Sequence, residues 1–220
     1  MPVGHRWDHP PAPALLATLR LPPATLDHGT FRSASMGGTT VGYNVLLPPH
    51  YADTASIGAR YPVVYYLHGR GDDECYQLAD GDFLEKLHAA MASGMLPPMI
   101  YVMAFGGRCA RYASPPRAVA ALACHFSLLL LDSSAPRTTH GRQAGYVDAA
   151  DGSVMGGTAI VAELLPAVEA AYRADPAQRA VQGWSMGVPC RRHTVTLQAA
   201  SSLSDRTTNQ KRLLCFFFFY

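Results

Sequence analysis

Hydrophobic positions along the chain fall into two alternating patterns. Uninterrupted apolar runs, such as Val63 to Leu67, are typical of strands buried on both faces of a parallel sheet. Apolar residues that recur every three or four positions indicate amphipathic helices. These patterns predict strands at 63–67, within 97–107 and at 179–183, and helices over 79–93 and 157–175. We expect Pro166 to break the second helix or to start a new segment of it.

A pair of strand-like stretches precedes these elements. Residues 28–36 and 39–48 are joined by Gly37 and Gly38, a dipeptide that readily adopts the positive φ angles of a tight hairpin. The proline-rich residues 1–27 predict an irregular lead-in. Because apolar strands alternate with amphipathic helices, we expect an α/β fold with a mainly parallel sheet, entered through an N-terminal antiparallel hairpin.

Composition limits the classes of partner. The 220 residues are 49% hydrophobic, which is enough for one sizeable core. A net charge of +2 with 15% charged residues is too mild to suggest a polyanion partner, whose binding normally needs a concentrated basic face, so we expect no nucleic-acid partner. The longest apolar run, 118–131, is shorter than the roughly 20 residues that cross a bilayer. No secretory signal is evident and the five cysteines form no disulfide framework, so the sequence favours a cytoplasmic protein without a membrane partner.

A candidate nucleophile follows the strand at 179–183. The chain there reads Gly183-Trp184-Ser185-Met186-Gly187, a serine between two glycines. A nucleophile elbow needs a strand before the serine, a helix after it and glycines beside it, because side chains at those positions would collide in so sharp a turn. The pattern predicts Ser185 as a nucleophile. A plain glycine turn at the end of a strand is the alternative interpretation.

A second candidate segment follows the strand at 63–67 and reads His68-Gly69-Arg70-Gly71. Acyl transfer develops negative charge on the former carbonyl oxygen, and two aligned backbone N–H groups stabilise that charge. We expect these N–H groups to belong to Arg70 and Met186. His68 could serve as a general base, but a hydrogen-bonded residue that shapes the loop is the more ordinary role.

Several stretches, taken in order, resemble one family. They are VGYNVLLPPHY, RYPVVYYLHGRGDDE, GMLPPMIYVMAFGG, GYVDAADGS, AELLPAVEAAYR and RAVQGWSMG. This series is similar to the α/β-hydrolase esterases that include esterase D, the feruloyl esterases and the antigen 85-type mycolyltransferases. The resemblance implies an α/β-hydrolase fold, a small-molecule ester substrate and no cofactor. It also implies Ser185 as nucleophile, an oxyanion hole from the N–H groups of Arg70 and Met186, and Gly183 and Gly187 as elbow glycines. Hydrolysis and acyl transfer to another alcohol both remain open.

The chain departs from that family at two places. Residues 109–144 separate blocks that we expect to be closely joined, so they form either a spliced-in segment or a lid over the active site. Directly after the elbow, at Val188, the chain lacks the further glycine and small residues with which that family packs the next helix against the sheet. The polar and β-branched residues that follow make a poor packing face, so we interpret 188–220 as an atypical tail. We therefore expect a partial, C-terminally truncated α/β-hydrolase domain over 28–187.

The family's catalytic triad runs in the order Ser, then Asp or Glu, then His. Beyond Ser185 the chain offers one acid, Asp205, and one histidine, His193, in the reverse order. A serine without a base stays protonated and weakly nucleophilic at neutral pH. We therefore expect this chain to be inactive, and a non-catalytic truncated product is the alternative from a different functional class.

Three sets of acidic residues could carry other chemistry. The acids at 72–74 could bind a metal, but consecutive acids before a helix more often cap its N-terminus. Glu163 and Glu169 could pair for acid/base chemistry, although on an amphipathic helix such residues more often face solvent. Residues 148–153 resemble a calcium loop only loosely, because they lack its terminal glutamate. His88 and His140 have no partners at metal-ligand spacing, so we expect no metal.

Overall fold

The computed structural model describes residues 7–69, 72–79, 82–105, 146, 148–149, 152 and 154–183. Two predicted segments, the insertion at 109–144 and the tail at 188–220, lie outside the described residues.

The centre of the fold is a five-stranded mixed sheet. Its strands are β1 (Leu26–Ser33), β2 (Thr39–Leu46), β3 (Tyr61–Leu67), β4 (Ile100–Met103) and β5 (Ala174–Gly183). They lie in the order β1-β2-β4-β3-β5. β1 and β2 form the predicted antiparallel pair, in which Gly37 and Gly38 adopt φ of 71° and 76°. β1 ends at Ser33, however, so residues 34–38 connect the two strands in place of the expected turn at Gly37 and Gly38 alone. β2 is antiparallel to β4, while β4, β3 and β5 are mutually parallel, so the predicted α/β class with a mainly parallel sheet after an antiparallel entry is confirmed.

Helices connect the strands. They are α1 (Pro13–Leu16), a 3₁₀ turn (Thr54–Ser56), α2 (Tyr76–Ala79), α3 (Phe83–Ala92), α4 (Gly156–Thr158), a π-helical segment (Ala159–Leu164) and α5 (Leu165–Ala171). The helix predicted over 79–93 is therefore α3, preceded by the short α2. Pro166 lies in the first turn of α5, as expected for a residue that starts a new helical segment, because its missing N–H would otherwise interrupt the helical hydrogen bonds.

Apolar side chains cover both faces of the central strands. Along β3, Val63 and Tyr65 belong to one core cluster while Tyr66 belongs to the other. The first cluster packs under the π-helical segment and α5 through residues such as Leu164, and the second packs under α3 through residues such as Leu84. Because successive side chains of a strand point to opposite faces, burial on both sides explains the unbroken apolar runs of these strands.

The N-terminal segment is built into the sheet. Trp7 forms a parallel bridge with Val41, its carbonyl accepts the N–H of Gly42 at 2.8 Å, and its side chain is only 2% exposed. A Cβ atom on Gly42 would come within 3.1 Å of the Asp8 backbone, so glycine is what permits this close approach. Trp7 also packs edge-on against Phe105, just beyond the end of β4. None of the described helices has the length and apolar character required to cross a bilayer.

Candidate active site

The carboxyl ends of β3 and β5 lie side by side. In the parallel ladder between them, Tyr66 is the partner of Gln182 and Leu67 is the partner of Gly183. Adjacent strands of a sheet are about 4.8 Å apart. The last residues of β3 and β5 therefore lie at neighbouring positions on the same edge of the sheet.

Most of the predicted site residues follow these strand ends in the sequence. Arg70, Ser185, Met186 and Gly187 fall outside the described residues, so their predicted roles stay predictions. Gly183, the first elbow glycine, is the last residue of β5. The structure thus brings together the two strand ends that carry the candidate nucleophile and the candidate oxyanion loop.

His68 is buried directly after β3. Its ring Nδ1 lies 2.7 Å from the carbonyl oxygen of Gly69, and since a carbonyl can only accept, Nδ1 carries the proton. The ring packs edge-on against Tyr146. Burial lowers the pKa of His68 below its ordinary value of 6.5, while the carbonyls of Gly69 and Phe105 and the charge of Asp73 act in the opposite direction. A buried imidazole bonded to its own loop shapes that loop, in agreement with the role expected from the sequence.

The described flanks of the loop after β3 are held by local hydrogen bonds. The N–H of Asp72 donates to the carbonyl of Gly69 at 3.4 Å, which joins the two flanks. The buried Asp73 accepts the N–H of Cys75 through Oδ1 at 2.8 Å, and its carbonyl accepts the N–H of Tyr76 at 3.1 Å. Asp73 therefore stabilises the turn that precedes α2, which begins at Tyr76.

Glu74 differs from the expectation that the acids at 72–74 cap the N-terminus of a helix. Its carboxylate is fully buried and accepts the backbone N–H of His9 at 2.7 Å. The ring Nδ1 of His9 lies 3.3 Å from Glu74 Oε1. Burial raises the pKa of Glu74, and the hydrogen bond and charge of His9 act against that shift. The reason for the correction is tertiary, because the N-terminal segment lies beside this loop.

A hydrogen-bonded group of three polar side chains, from Asp8, His28 and Asn44, lies next to Glu74. The His28 ring bonds the Asp8 carboxylate through Nε2 at 2.9 Å and the Asn44 side-chain oxygen through Nδ1 at 2.8 Å. The amide Nδ2 of the buried Asn44 then donates to the backbone carbonyl of Glu74 at 2.9 Å. These contacts connect β1 and β2 to the loop after β3 through buried or half-buried polar groups.

Glu163 and Glu169 make separate structural contacts, so they neither face open solvent as expected nor pair with each other. Glu163 accepts the hydroxyl of Ser33 and the N–H of Ser35, which ties the π-helical segment to the end of β1. Glu169 binds Arg179 of β5 in a two-pronged ion pair, with Nε–Oε1 and Nη2–Oε2 distances of 2.5 and 2.7 Å. Folding places both carboxylates beside donors from distant segments.

The structure holds no arrangement suited to a metal ion among the residues it describes. Asp148, which begins the segment that loosely resembles a calcium loop, accepts both the N–H and the hydroxyl of Thr158 at 2.9 and 2.6 Å. It therefore stabilises the first turns of the helical region after it. His88 lies in α3, and His140 falls outside the described residues.

The contribution of the N-terminal segment differs from the sequence prediction, in which residues 1–27 are an irregular lead-in. His9 contacts the loop after β3, and Asp8 contacts His28 of β1, only in the folded protein. Two signals pointed to this packing. One is Trp7, a large aromatic residue in an otherwise polar and proline-rich stretch, and the other is Gly42 within a strand, which marks a close backbone approach.

Known proteins provide an independent comparison. No protein-family profile matches the chain. Over 159 residues the chain is 30% identical to esterases from two strains of Mycobacterium tuberculosis. The alignment covers 71% of this chain and 26% of each relative, so the chain spans about a quarter of the length of the curated relatives that it matches.

Solved structures share the fold. A ferulic acid esterase matches with a TM-score of 0.58 and 22% identity, over 79% of this chain and 55% of that protein. The substrate-free ferulic acid esterase of Anaeromyces mucronatus matches with a TM-score of 0.52 and 23% identity, over 80% and 55%. The S-formylglutathione hydrolase of Agrobacterium tumefaciens matches with a TM-score of 0.52 and 18% identity, over 86% and 56%. With the observed strand order and the alignment to curated esterases, these matches show that the chain belongs to the α/β-hydrolase family, among relatives that are esterases.

Proposed function

We propose that this chain carries the nucleophile and the oxyanion loop of a carboxylic-ester hydrolase. The observation that carries the proposal is the register of β3 and β5, in which Leu67 and Gly183 are direct partners. This register puts the strand end that precedes Ser185 beside the strand end that precedes Arg70, as a nucleophile and an oxyanion hole that act on one carbonyl require. The curated relatives are esterases, which supports the same chemistry.

The proposed reaction has two steps. The Ser185 hydroxyl oxygen attacks the ester carbonyl carbon while a general base accepts its proton, and the N–H groups of Arg70 and Met186 stabilise the tetrahedral oxyanion. The C–O bond to the alcohol then breaks and the alcohol leaves with that proton, which forms an acyl-serine. Water attacks the acyl-serine, and its proton passes through the base to the serine oxygen as the acid is released. None of these steps needs a cofactor.

Residues 1–220 do not contain, after Ser185, an acid and a histidine in the order that the family uses to form its general base. Asp205 follows His193, whereas the family places the acid before the histidine. We therefore propose that residues 1–220 alone do not turn over esters, and that activity requires a form of the protein with an acid followed by a histidine after Ser185. Analysis of the products shows whether the acyl group is transferred to water or to an alcohol.

The proposed domain spans 28–187, with an atypical insertion at 109–144 and an atypical tail at 188–220. Phe105 and Tyr146, the described residues nearest to the insertion on either side, both belong to the same core cluster. Such a placement is expected when a segment is inserted between two parts of one core.

Burst kinetics with p-nitrophenyl acetate test the proposal. A form that contains the acid and the histidine should release about one p-nitrophenolate per chain in a burst, because the acyl-serine forms faster than it hydrolyses. The burst should disappear in Ser185→Ala and persist in Ser93→Ala, a matched control at the exposed end of α3. A burst that survives Ser185→Ala would contradict the proposed nucleophile. Sustained turnover by residues 1–220 alone would contradict the proposed need for a further base.

A further inference from the structure

The loop after β3 is attached to the N-terminal segment by a buried carboxylate. We give the name oxyanion loop to the described residues 68–69 and 72–75, which flank Arg70 in the sequence. We propose that Glu74 is a positioning residue that sets the place of this loop by binding the backbone of His9, an inference that rests on the function proposed above.

Two reciprocal hydrogen bonds join the segments. The backbone N–H of His9 donates to Glu74 Oε1 at 2.7 Å. The thiol of the next loop residue, Cys75, is oriented to donate to the backbone carbonyl of His9 at 3.3 Å. One residue of the N-terminal segment is therefore held through both of its backbone polar groups, as a strand is held by its neighbour.

Because this contact is buried, it favours one position of the loop relative to His9. The Glu74 side chain has no solvent exposure and the His9 side chain is 12% exposed. A carboxylate removed from water is costly unless protein donors replace its hydration. The His9 N–H and the nearby His9 ring replace part of that hydration. A displacement of the loop relative to His9 would leave the buried carboxylate without these donors and would therefore raise the free energy.

The other side of Glu74 is held by the sheet. Asn44 of β2, itself buried, donates from Nδ2 to the Glu74 carbonyl at 2.9 Å. His9 lies two residues after Trp7, and Trp7 forms its bridge with Val41, which is also in β2. The C-terminal flank of the oxyanion loop is thus tied to β2 by two routes, one direct and one through the N-terminal segment.

This attachment bears on catalysis because oxyanion donors act only when they are aligned in advance. Donors must lie about 2.7–3.1 Å from the developing charge, and a looser site loses most of its effect. The upstream flank of the loop is set by β3 and by the His68–Gly69 hydrogen bond. Glu74 supplies the corresponding constraint on the downstream flank.

The chain offers a matched control for this contact. Glu85 of α3 accepts the backbone N–H of Arg20 at 2.7 Å, also across 65 residues, but at an exposed site. Both carboxylates therefore bind a backbone N–H of the N-terminal segment. Only Glu74 belongs to the oxyanion loop. Glu85→Gln therefore shows the effect of weakening a contact with the N-terminal segment without changing the loop itself.

Amide hydrogen exchange of the full chain tests the attachment. The reporters are the amides of Asp72 and Cys75, which are bonded within the loop. We expect Glu74→Gln to speed their exchange about tenfold, the size associated with one hydrogen bond to a charged group. His9→Pro removes the donor N–H and should produce the same change, and the double variant should add nothing. Glu85→Gln should stay within about twofold of the unmodified chain.

Additive effects of Glu74→Gln and His9→Pro, or equal effects of Glu74→Gln and Glu85→Gln, would overturn the inference. The catalytic arm uses the form that shows the ester burst. There we expect Glu74→Gln to lower kcat about tenfold with KM within about twofold, because transition-state stabilisation is lost while substrate binding remains. An unchanged kcat overturns the positioning role even if the attachment is real. A burst that survives Ser185→Ala instead rejects the proposed function and leaves the exchange result to decide the attachment.

Discussion

Leu67 of β3 and Gly183 of β5 are register partners in adjacent parallel strands. Ligands of open α/β sheets bind outside the carboxyl ends of the strands, where the following segments converge. The pairing of these two residues therefore locates the candidate site more closely than either sequence motif does alone.

The first prediction concerns Trp7. Because this side chain is 2% exposed and packs within the core, Trp7→Ala should lower the free energy of unfolding by about 3–5 kcal/mol. Chemical denaturation measures this change. The control is Ile57→Ala, whose side chain is 69% exposed and should change stability by less than about 0.5 kcal/mol. Equal effects of the two variants would show that the N-terminal segment is not part of the folded core.

The second prediction concerns pH and His68. Burial lowers its pKa below 6.5, so the unfolded chain binds this proton more readily than the folded chain. The stability contributed by the neutral ring is therefore fully present above pH 6.5 and is lost as the pH falls through 6.5 toward the lowered pKa.

His68→Asn removes this dependence. The difference in unfolding free energy between the unmodified chain and the variant should therefore narrow on acidification from about pH 7.5 to about pH 5. Urea denaturation at several pH values measures it. A difference that widens at lower pH would mean that the folded protein favours a protonated ring.

The third prediction concerns the ion pair between α5 and β5. The two-pronged contact of Glu169 with Arg179 is only 17% exposed on each side, so a double-mutant cycle with Glu169→Gln and Arg179→Lys should give a coupling energy of about 1 kcal/mol after screening by solvent. The pair of Asp82 with Lys86, exposed at 66% and 75%, should couple by less than about 0.5 kcal/mol. Equal coupling in the two cycles would contradict a special role for the forked geometry.

The fourth prediction concerns the proposed insertion. Phe105 and Tyr146 both belong to one core cluster, so replacement of residues 109–144 by a flexible linker of roughly six residues should preserve cooperative thermal unfolding. We expect the midpoint temperature to stay the same or to rise. Near-UV circular dichroism gives a second readout of the core. Loss of cooperative unfolding would show that 109–144 contributes to the fold and would favour the alternative of an integral lid.

Much of the fold was predictable because it depends on local patterns. The hairpin follows from Gly37 and Gly38, whose backbone angles few other residues adopt as easily. The strand at Val63 to Leu67 follows from an unbroken apolar run, and the division of the helix at Pro166 follows from a missing N–H. The family resemblance, now supported by curated relatives and solved structures, rested on these same blocks in order.

The contacts around the candidate site were not predictable, because they join residues far apart in the chain. The amino-acid sequence by itself determined the main elements, their order and the two motifs, since each depends on neighbouring residues. It misplaced the start of β5, which begins at Ala174, within the helix predicted over 157–175. Only the tertiary structure decided that Leu67 lies beside Gly183, that Glu74 binds His9 and that Glu169 binds Arg179. The physical reason is that a buried carboxylate takes whatever donor the packing brings near it, and local sequence carries no record of that donor.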